Sequence, residues 1–326
     1  HRDLHSFPTR RSSDLAAWSG LSFEERSQLE YQLFGGLIVL ILVSLPLAFS
    51  GIGYLRNGTG FQGILNHPQA FGPTVAFLGG WLGGRLLGTA QPRWREIALL
   101  GLCLVLIVMS EARTAGLALV LGLIIASLTS SALSGIAMRR LMPGLRSSRL
   151  QILVLLAVVG SLLAGGILSE RIDAYLTKRT DATNLLEAAE ASRGHLVDLM
   201  VANIEKNPLT GIGFGIASDV DEMHVERDPI LGLPTGAVIE KGVLPFAVME
   251  ELGVLGFVLV FSWIFLLARQ GARSGMAALT VLIIVFLTNL GESTLFSPGG
   301  MGLLPLILLT WAISERRLPL RNRPYG

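Results

Sequence analysis

The amino-acid sequence predicts an all-α, polytopic membrane protein, a transmembrane helix bundle with one long polar loop, and three observations carry that prediction. Only 15% of the 326 residues are charged, whereas 51% are hydrophobic; a soluble domain carries about 25% charged residues. The apolar residues gather in blocks near the roughly 20-residue length of a bilayer-crossing helix. Basic residues between those blocks fall on alternate connections, as they do in membrane proteins of fixed orientation.

Taken along the chain, residues 1–15 (His1 to Leu15) match nothing that follows and lack the apolar core of a signal peptide. They read as a non-native N-terminal artefact of adaptor or assembly sequence. The expectation is therefore a fragment, 16–326, that has lost further spans upstream, and His1 and His5 are set aside as site candidates. The apolar blocks run 35–51, 70–88, 97–110, 114–134, 150–169, 243–268, 276–291 and 301–314, about eight spans. The third and the last are short, and the sixth is long enough to contain a bent or re-entrant start. Gly79, Gly80, Gly83 and Gly84, and then Gly160, Gly165 and Gly166, suit close helix–helix approach, because lipid gives helices no hydrophobic drive to associate. The single cysteine, Cys103, sits inside an apolar run; it rules out a disulfide framework and reads as a small buried hydrophobe.

Orientation follows from the arginines. Arg93, Arg95, Arg139, Arg140, Arg146, Arg149, Arg269 and Arg273 lie on the connections after even-numbered spans, and Arg316, Arg317, Arg321 and Arg323 on the C-terminal tail. Only Arg56 and Arg113 lie on the opposite short connections. The positive-inside rule then puts the C-terminus in the cytoplasm and the hydrophilic stretch 170–242 outside. Within that loop Ser192 is placed to cap a helix whose apolar stripe is Leu196, Val197, Met200, Val201 and Ile204, stopped by Asn207-Pro208.

Ionisable groups at or near apolar depth are where function is sought in such a chain. Ser110-Glu-Ala-Arg113-Thr114 is squeezed between two spans, so a tight turn holds Arg113 near the bundle mouth, where its planar fork suits phosphate oxygens. An arginine snorkelling to headgroups or pairing with Glu111 accounts for it as well. Arg193-Gly-His195 opens the loop helix, and Asn207-Pro-Leu-Thr-Gly211-Ile-Gly213-Phe-Gly215 follows it. Helix N-termini and glycine amides favour anions, yet the spacing is not a dinucleotide fingerprint, and a flexible turn explains Gly211 and Gly213 equally well. Glu240-Lys241 precedes an apolar run containing Glu250 and Glu251, which point about 100° apart on a helix and so are expected to serve different roles. Asp219-Val-Asp221-Glu222-Met-His224-Val-Glu226-Arg227-Asp228 is acidic but lacks the central glycine of a calcium loop and reads as solvated, with no metal. His224 titrates near neutrality by type. Asn57-Gly-Thr59 is a formal glycosylation sequon.

Read together, four pieces resemble the bacterial O-antigen ligase and polymerase superfamily, in the superfamily's order. Gly63-Ile-Leu-Asn-His67-Pro-Gln-Ala-Phe-Gly72 is similar to its external Asn/His-Pro turn, and Ser110-Glu-Ala-Arg113-Thr114 to its Ser-Arg-Thr element. Arg193 with Asn207-Pro-Leu-Thr-Gly-Ile-Gly-Phe-Gly215 resembles its large periplasmic loop, and Glu250-Glu-Leu-Gly253-Val-Leu-Gly256 its Glu-Leu-Gly-x-x-Gly. The resemblance implies a GT-C-like helix bundle in the bacterial inner membrane with the large loop in the periplasm. It also implies metal-independent, cofactor-free glycosyl transfer. The donor is a glycan on undecaprenyl diphosphate, the acceptor a second glycan or a lipid, and no nucleic acid is involved. Arg113 and Arg193 stand where such enzymes hold the donor diphosphate, with Gly211 and Gly213 beside them. The ligases carry a histidine eleven residues before the first glycine of Gly-x-x-Gly, where this chain has Gly242. Glu240 is the favoured substitute base, with His224 and Glu250 behind it, and the missing histidine makes a polymerase-type or uncharacterised branch the expectation over a ligase. The alternative is a multi-pass transporter of the same superfamily, although the spans are largely free of charge outside Glu250–Glu251.

Overall fold

The structure, a computed structural model, describes residues 18, 21–55, 60–152, 155, 197–219, 241, 243–291, 295 and 302–314. Its regular elements are all helical, and no strand occurs among the described residues. In order they are α1 (Phe23–Ser44), α2 (Pro68–Gly88), α3 (Trp94–Ser110), α4 (Arg113–Ser134), the single turn α5 (Met138–Leu141), α6 (197–206), α7 (Leu244–Ser274), α8 (Met276–Thr288) and α9 (Leu303–Ile313). Among the described residues three stretches are long and apolar enough to cross a membrane, namely Glu24–Phe49, Arg113–Ser134 and Leu244–Ser274; α8 and α9 are shorter apolar helices. The expected block at 150–169 lies almost wholly outside the described residues, as do residues 1–15 and most of the loop at 170–242.

Local chemistry explains where these helices begin and end. Ser22 and Glu25 form a reciprocal capping box, with the Glu25 amide on the Ser22 hydroxyl at 3.3 Å and the Ser22 amide on the Glu25 carboxylate at 2.7 Å. That cap starts α1 at Phe23, well upstream of the apolar block expected at 35–51. Two residues past Ser44, Pro46 has no amide hydrogen and its ring would crowd the preceding turn, so the α-helix gives way to 3-10 turns at Leu45–Phe49 and Gly51–Tyr54. α2 opens with His67 as its cap, Nδ1 accepting the Gln69 amide at 3.0 Å, and with Pro68 at the first position, where its missing donor costs nothing.

The chain divides into two compact units: residues 1–164, 267–287 and 298–326, and residues 165–266 and 288–297. In the first, α2 packs on α4 and α8 through the expected glycines. A Cβ on Gly79 would lie 3.0 Å from Leu119, and one on Gly84 only 2.5 Å from the Ala277 Cα. Lipid tails are as apolar as these side chains, so close packing and dispersion rather than escape from water hold the helices together. An aromatic knot closes the same unit: Phe34 stacks on Trp81 at 4.4 Å and meets the edge of Trp311 at 4.9 Å. The Trp81 indole N–H donates to the buried carboxylate of Glu30 at 3.0 Å.

In the second unit α6 buries Met200, leaves Val197, Val201 and Ile204 half-buried, and exposes Asp198, Glu205 and Lys206; it ends at Asn207 as its sequence requires. α7 has the bent start that its length suggested. At Gly253 the backbone leaves helical geometry (φ 65°, ψ −171°), dividing an apolar helix into two collinear-numbered pieces, 244–252 and 254–274.

Candidate functional site

A broken helix in apolar surroundings must satisfy its freed backbone groups from elsewhere in the protein. In the second unit the loop after α6 does this. The Glu250 carbonyl accepts the Ile212 amide at 2.8 Å, the Glu251 carbonyl accepts the Gly213 amide at 3.1 Å, and the Val254 amide donates to the Pro208 carbonyl at 2.9 Å. The two backbones come too close for side chains. A Cβ on Gly211 would lie 2.5 Å from the Glu251 carbonyl oxygen, and one on Gly253 would collide with the Leu209 carbonyl. Both glycines also have positive φ, 68° and 65°, a region that costs other residues about 1–2 kcal/mol.

Side chains lock the same junction. Glu250 is fully buried, and its two oxygens take the Asn203 amide at 2.8 Å, the Ser218 hydroxyl at 2.9 Å and the Lys241 ammonium at 2.7 Å. The ammonium, itself only 3% exposed, also lies 3.2 Å from Glu251, whose second oxygen accepts the Gly215 amide at 3.0 Å. Asn203 further donates to the Ser218 carbonyl at 2.9 Å. One lysine thus bridges both carboxylates. This corrects the expectation of separate roles: the 100° between neighbouring helical side chains is spanned by a long, flexible ammonium donor placed between them. Neither Gly211 nor Gly213 turns its amide to an open site, for the Gly211 N–H donates to the Asn207 carbonyl at 3.0 Å and the Gly213 N–H to Glu251. In the described conformation Gly211 serves close backbone approach, and Gly213, at a φ of 114°, gives its amide to Glu251 rather than to an anion. Glu250, bonded on both oxygens, is placed as a holding group and not as a base open to an acceptor.

In the first unit Arg113 is the first residue of α4, half-buried, directly after the tight turn Ser110–Ala112. Glu111 makes that turn with a left-handed φ of 57°, the only non-glycine residue to do so among the described residues. The Ser110 hydroxyl donates to the Ile107 carbonyl at 2.7 Å and accepts the Ala112 amide at 3.3 Å, so the corner is held by its own side chain. The segment leading into α2 lies against it. The Phe61 amide donates to the Met109 carbonyl at 2.8 Å, and a Cβ on Gly60 would lie 2.8 Å from the Ser110 carbonyl oxygen. Gly72 of α2 abuts Ala112 and Ser110, while Phe61 meets Phe71 edge-on at 5.1 Å.

The four sequence pieces therefore come together in two pairs: 60–72 with 109–114 in the first unit, and 207–215 with 250–254 in the second. Arg193, His195, His224 and Glu240 lie outside the described residues, and Lys241 beside Glu240 lies within them. Sequence reasoning gave no role to Lys241, Asn203 or Ser218. For Lys241 a signal existed, a cation at the edge of an apolar run that contains carboxylates. Asn203 and Ser218 offered none, since their partner is 47 and 32 residues away. Among the described residues no group of three or more His, Cys, Asp or Glu side chains is placed to hold a metal ion. The sequence matches no protein-family model and no curated protein.

Proposed function

We propose that this chain is a multi-pass glycosyltransferase of the O-antigen polymerase or ligase type, acting on a glycan carried by undecaprenyl diphosphate at the periplasmic face of the bacterial inner membrane. In this reading about eight spans, a cytoplasmic C-terminus and a periplasmic loop at 170–242 form its frame. The observation that carries the proposal is the interlock of 207–215 with the break in α7. It gives two pieces far apart in sequence, each singled out by the resemblance, a shared physical reason to exist. The first unit adds the second such pair, ending at Arg113.

Arg113 and Arg193 are the residues assigned to the donor diphosphate. A lipid diphosphate leaving group gathers negative charge as the glycosidic bond breaks, and fixed guanidinium groups stabilise it without a metal. The acceptor hydroxyl still needs a base. Glu240 takes that role in the proposal, with His224 as the substitute. Lys241, the residue that follows Glu240 in the chain, is anchored on Glu250 and Glu251.

The test is long-chain polysaccharide in cells carrying Arg113→Ala or Arg193→Ala. Loss of polymer with protein levels unchanged is expected for both; full polymer length in both sinks the diphosphate assignment. A transporter is the second reading, favoured by a discontinuous helix with buried ionisable groups. Here, however, the backbone groups freed at Gly253 and both Glu250 oxygens already have protein partners. Solute flux in proteoliposomes without glycan product would reverse that ranking.

A further inference from the structure

In the first unit the connection that leaves α4 is a folded strap with its arginines turned outward. Leu141 and Met142 are buried with Ala126, Ala272, Met276 and Leu279, which joins the strap to the last turn of α7 and the start of α8. Gly144 is pressed onto the end of α2, where a Cβ would collide with the Leu86 carbonyl and lie 2.8 Å from that of Leu87. The Arg149 guanidinium donates to the Pro92 carbonyl at 2.8 Å and lies 5.8 Å over the Trp94 ring, so the far end of the strap is tied to the start of α3. With Leu141, Met142 and Gly144 turned in, Arg139, Arg140 and Arg146 are left exposed. Exposed Arg93, Arg95 and Arg149 accompany them, as does Arg273 on the last turn of α7.

Carboxylates offset little of this charge. No Asp or Glu occurs in 112–169 or in 252–291. Glu96 is engaged by Arg85 at 3.2 Å, and Glu25, beside Glu24 at the start of α1, closes the Ser22 cap. Among the described residues Arg95, Arg139, Arg140 and Arg146 have no side-chain hydrogen bond or ion pair.

The positive-inside rule asks only that such arginines stay on one side of a membrane, and a loose loop in water satisfies it. Two features here go further: the backbone that carries the arginines is packed down, and large apolar side chains, Trp94, Met138 and Leu145, stand exposed among them. α4 is long and apolar enough to cross a membrane and ends at Ser134, four residues before Met138, which puts the strap at the bilayer surface. There guanidinium forks match headgroup phosphates, while the indole and the aliphatic side chains enter the boundary with the acyl chains. A nucleic acid or an acidic soluble protein matches the charge but offers those three side chains nothing apolar.

We propose that the 138–149 strap, with Trp94, Arg93 and Arg95 beside it, is a docking surface for anionic phospholipid. None of the residues assigned to the transfer chemistry takes part. The full chain is reconstituted in vesicles that mix phosphatidylcholine and phosphatidylglycerol, in which one lipid or the other carries brominated acyl chains that quench tryptophan. Trp94 is read as the difference between the parent and Trp94→Phe. Phosphatidylglycerol should be preferred at Trp94 by about fivefold or more at low salt, and by less than about twofold once Arg139, Arg140 and Arg146 are all changed to Gln. In about 1 M NaCl, where the screening length is roughly 3 Å, the parent should lose the preference as well. Equal quenching by the two lipids in the parent overturns the proposal, as does a preference that survives in the folded triple variant. Should that variant fail to fold, a preference that persists in the parent at high salt overturns it. Binding of a short RNA by the parent in neutral detergent, with no lipid preference at Trp94, also overturns it and hands the surface to a soluble polyanion.

Discussion

Lys241→Met is the perturbation that tests the second unit most directly. The ammonium is 3% exposed and lies 2.7 Å from Glu250 and 3.2 Å from Glu251, of which Glu250 is fully buried. Methionine keeps much of the stem and removes the charge, leaving two carboxylates together with only Asn203, Ser218 and the Gly215 amide as donors. Breaking a buried ion pair by removing one partner costs about 3–5 kcal/mol, because the remaining charge is buried without compensation. At about 2–4 °C per kcal/mol for a domain of 150–250 residues, the thermal midpoint should fall by on the order of 10 °C. The assay is thermal unfolding of the purified protein in one detergent, followed by tryptophan fluorescence and by size exclusion. The same change in a Glu250→Gln, Glu251→Gln background should cost under about 1.5 kcal/mol, since replacing a whole buried ion cluster is often neutral. Equal destabilisation by Lys241→Met in both backgrounds would refute the argument, for the lysine would then act by packing and not by charge.

Other outcomes follow from the same geometry. Gly253→Ala should destabilise by at least about 2 kcal/mol, combining the strain of a φ/ψ pair open essentially only to glycine with a collision against the Leu209 carbonyl; a midpoint within 1 °C of the parent on the same melt would contradict the interlock. Gly135→Ala, at a positive φ of 71° with open space around it, should cost only the strain of about 1–2 kcal/mol, and a larger loss than Gly253→Ala would invert the reasoning. Cys103, 1% exposed, should resist maleimide in the folded chain and react fully after denaturation, as mass spectrometry would show. Phe34→Ala should cost about 3–5 kcal/mol through the cavity left against Trp81 and Trp311; a shift below 1 kcal/mol in equilibrium unfolding would remove that knot from the core.

Much of the helical architecture was legible in the chain because its signals are local. The Asn207-Pro208 stop acts within a turn or so of the boundary it sets and apolar block length reports the solvent; the Ser22–Glu25 box, Pro46 and the His67 cap act as locally, yet only the structure brought them out. The block at 35–51 nonetheless missed the true start of α1, since hydropathy does not register a cap. The candidate site was legible only as a set of pieces. Which piece meets which is a long-range choice, decided by where a break in one helix leaves carbonyls that another segment's amides can reach.

By itself, then, the sequence determined a helical chain rich in apolar blocks of membrane-spanning length, with the Asn207-Pro208 stop and the small-residue face of α2, because propensity and periodicity depend on neighbours a few residues apart. Tertiary structure alone decided that Lys241 bridges Glu250 and Glu251, that Gly211 and Gly253 exist for backbone contact, and that the 138–149 strap turns its arginines outward. Lys241 lies only nine and ten residues before its two carboxylates, but their burial is completed by Asn203 and Ser218, 47 and 32 residues from Glu250, and no local pattern encodes which distant segment will close over a buried charge once the helices pack.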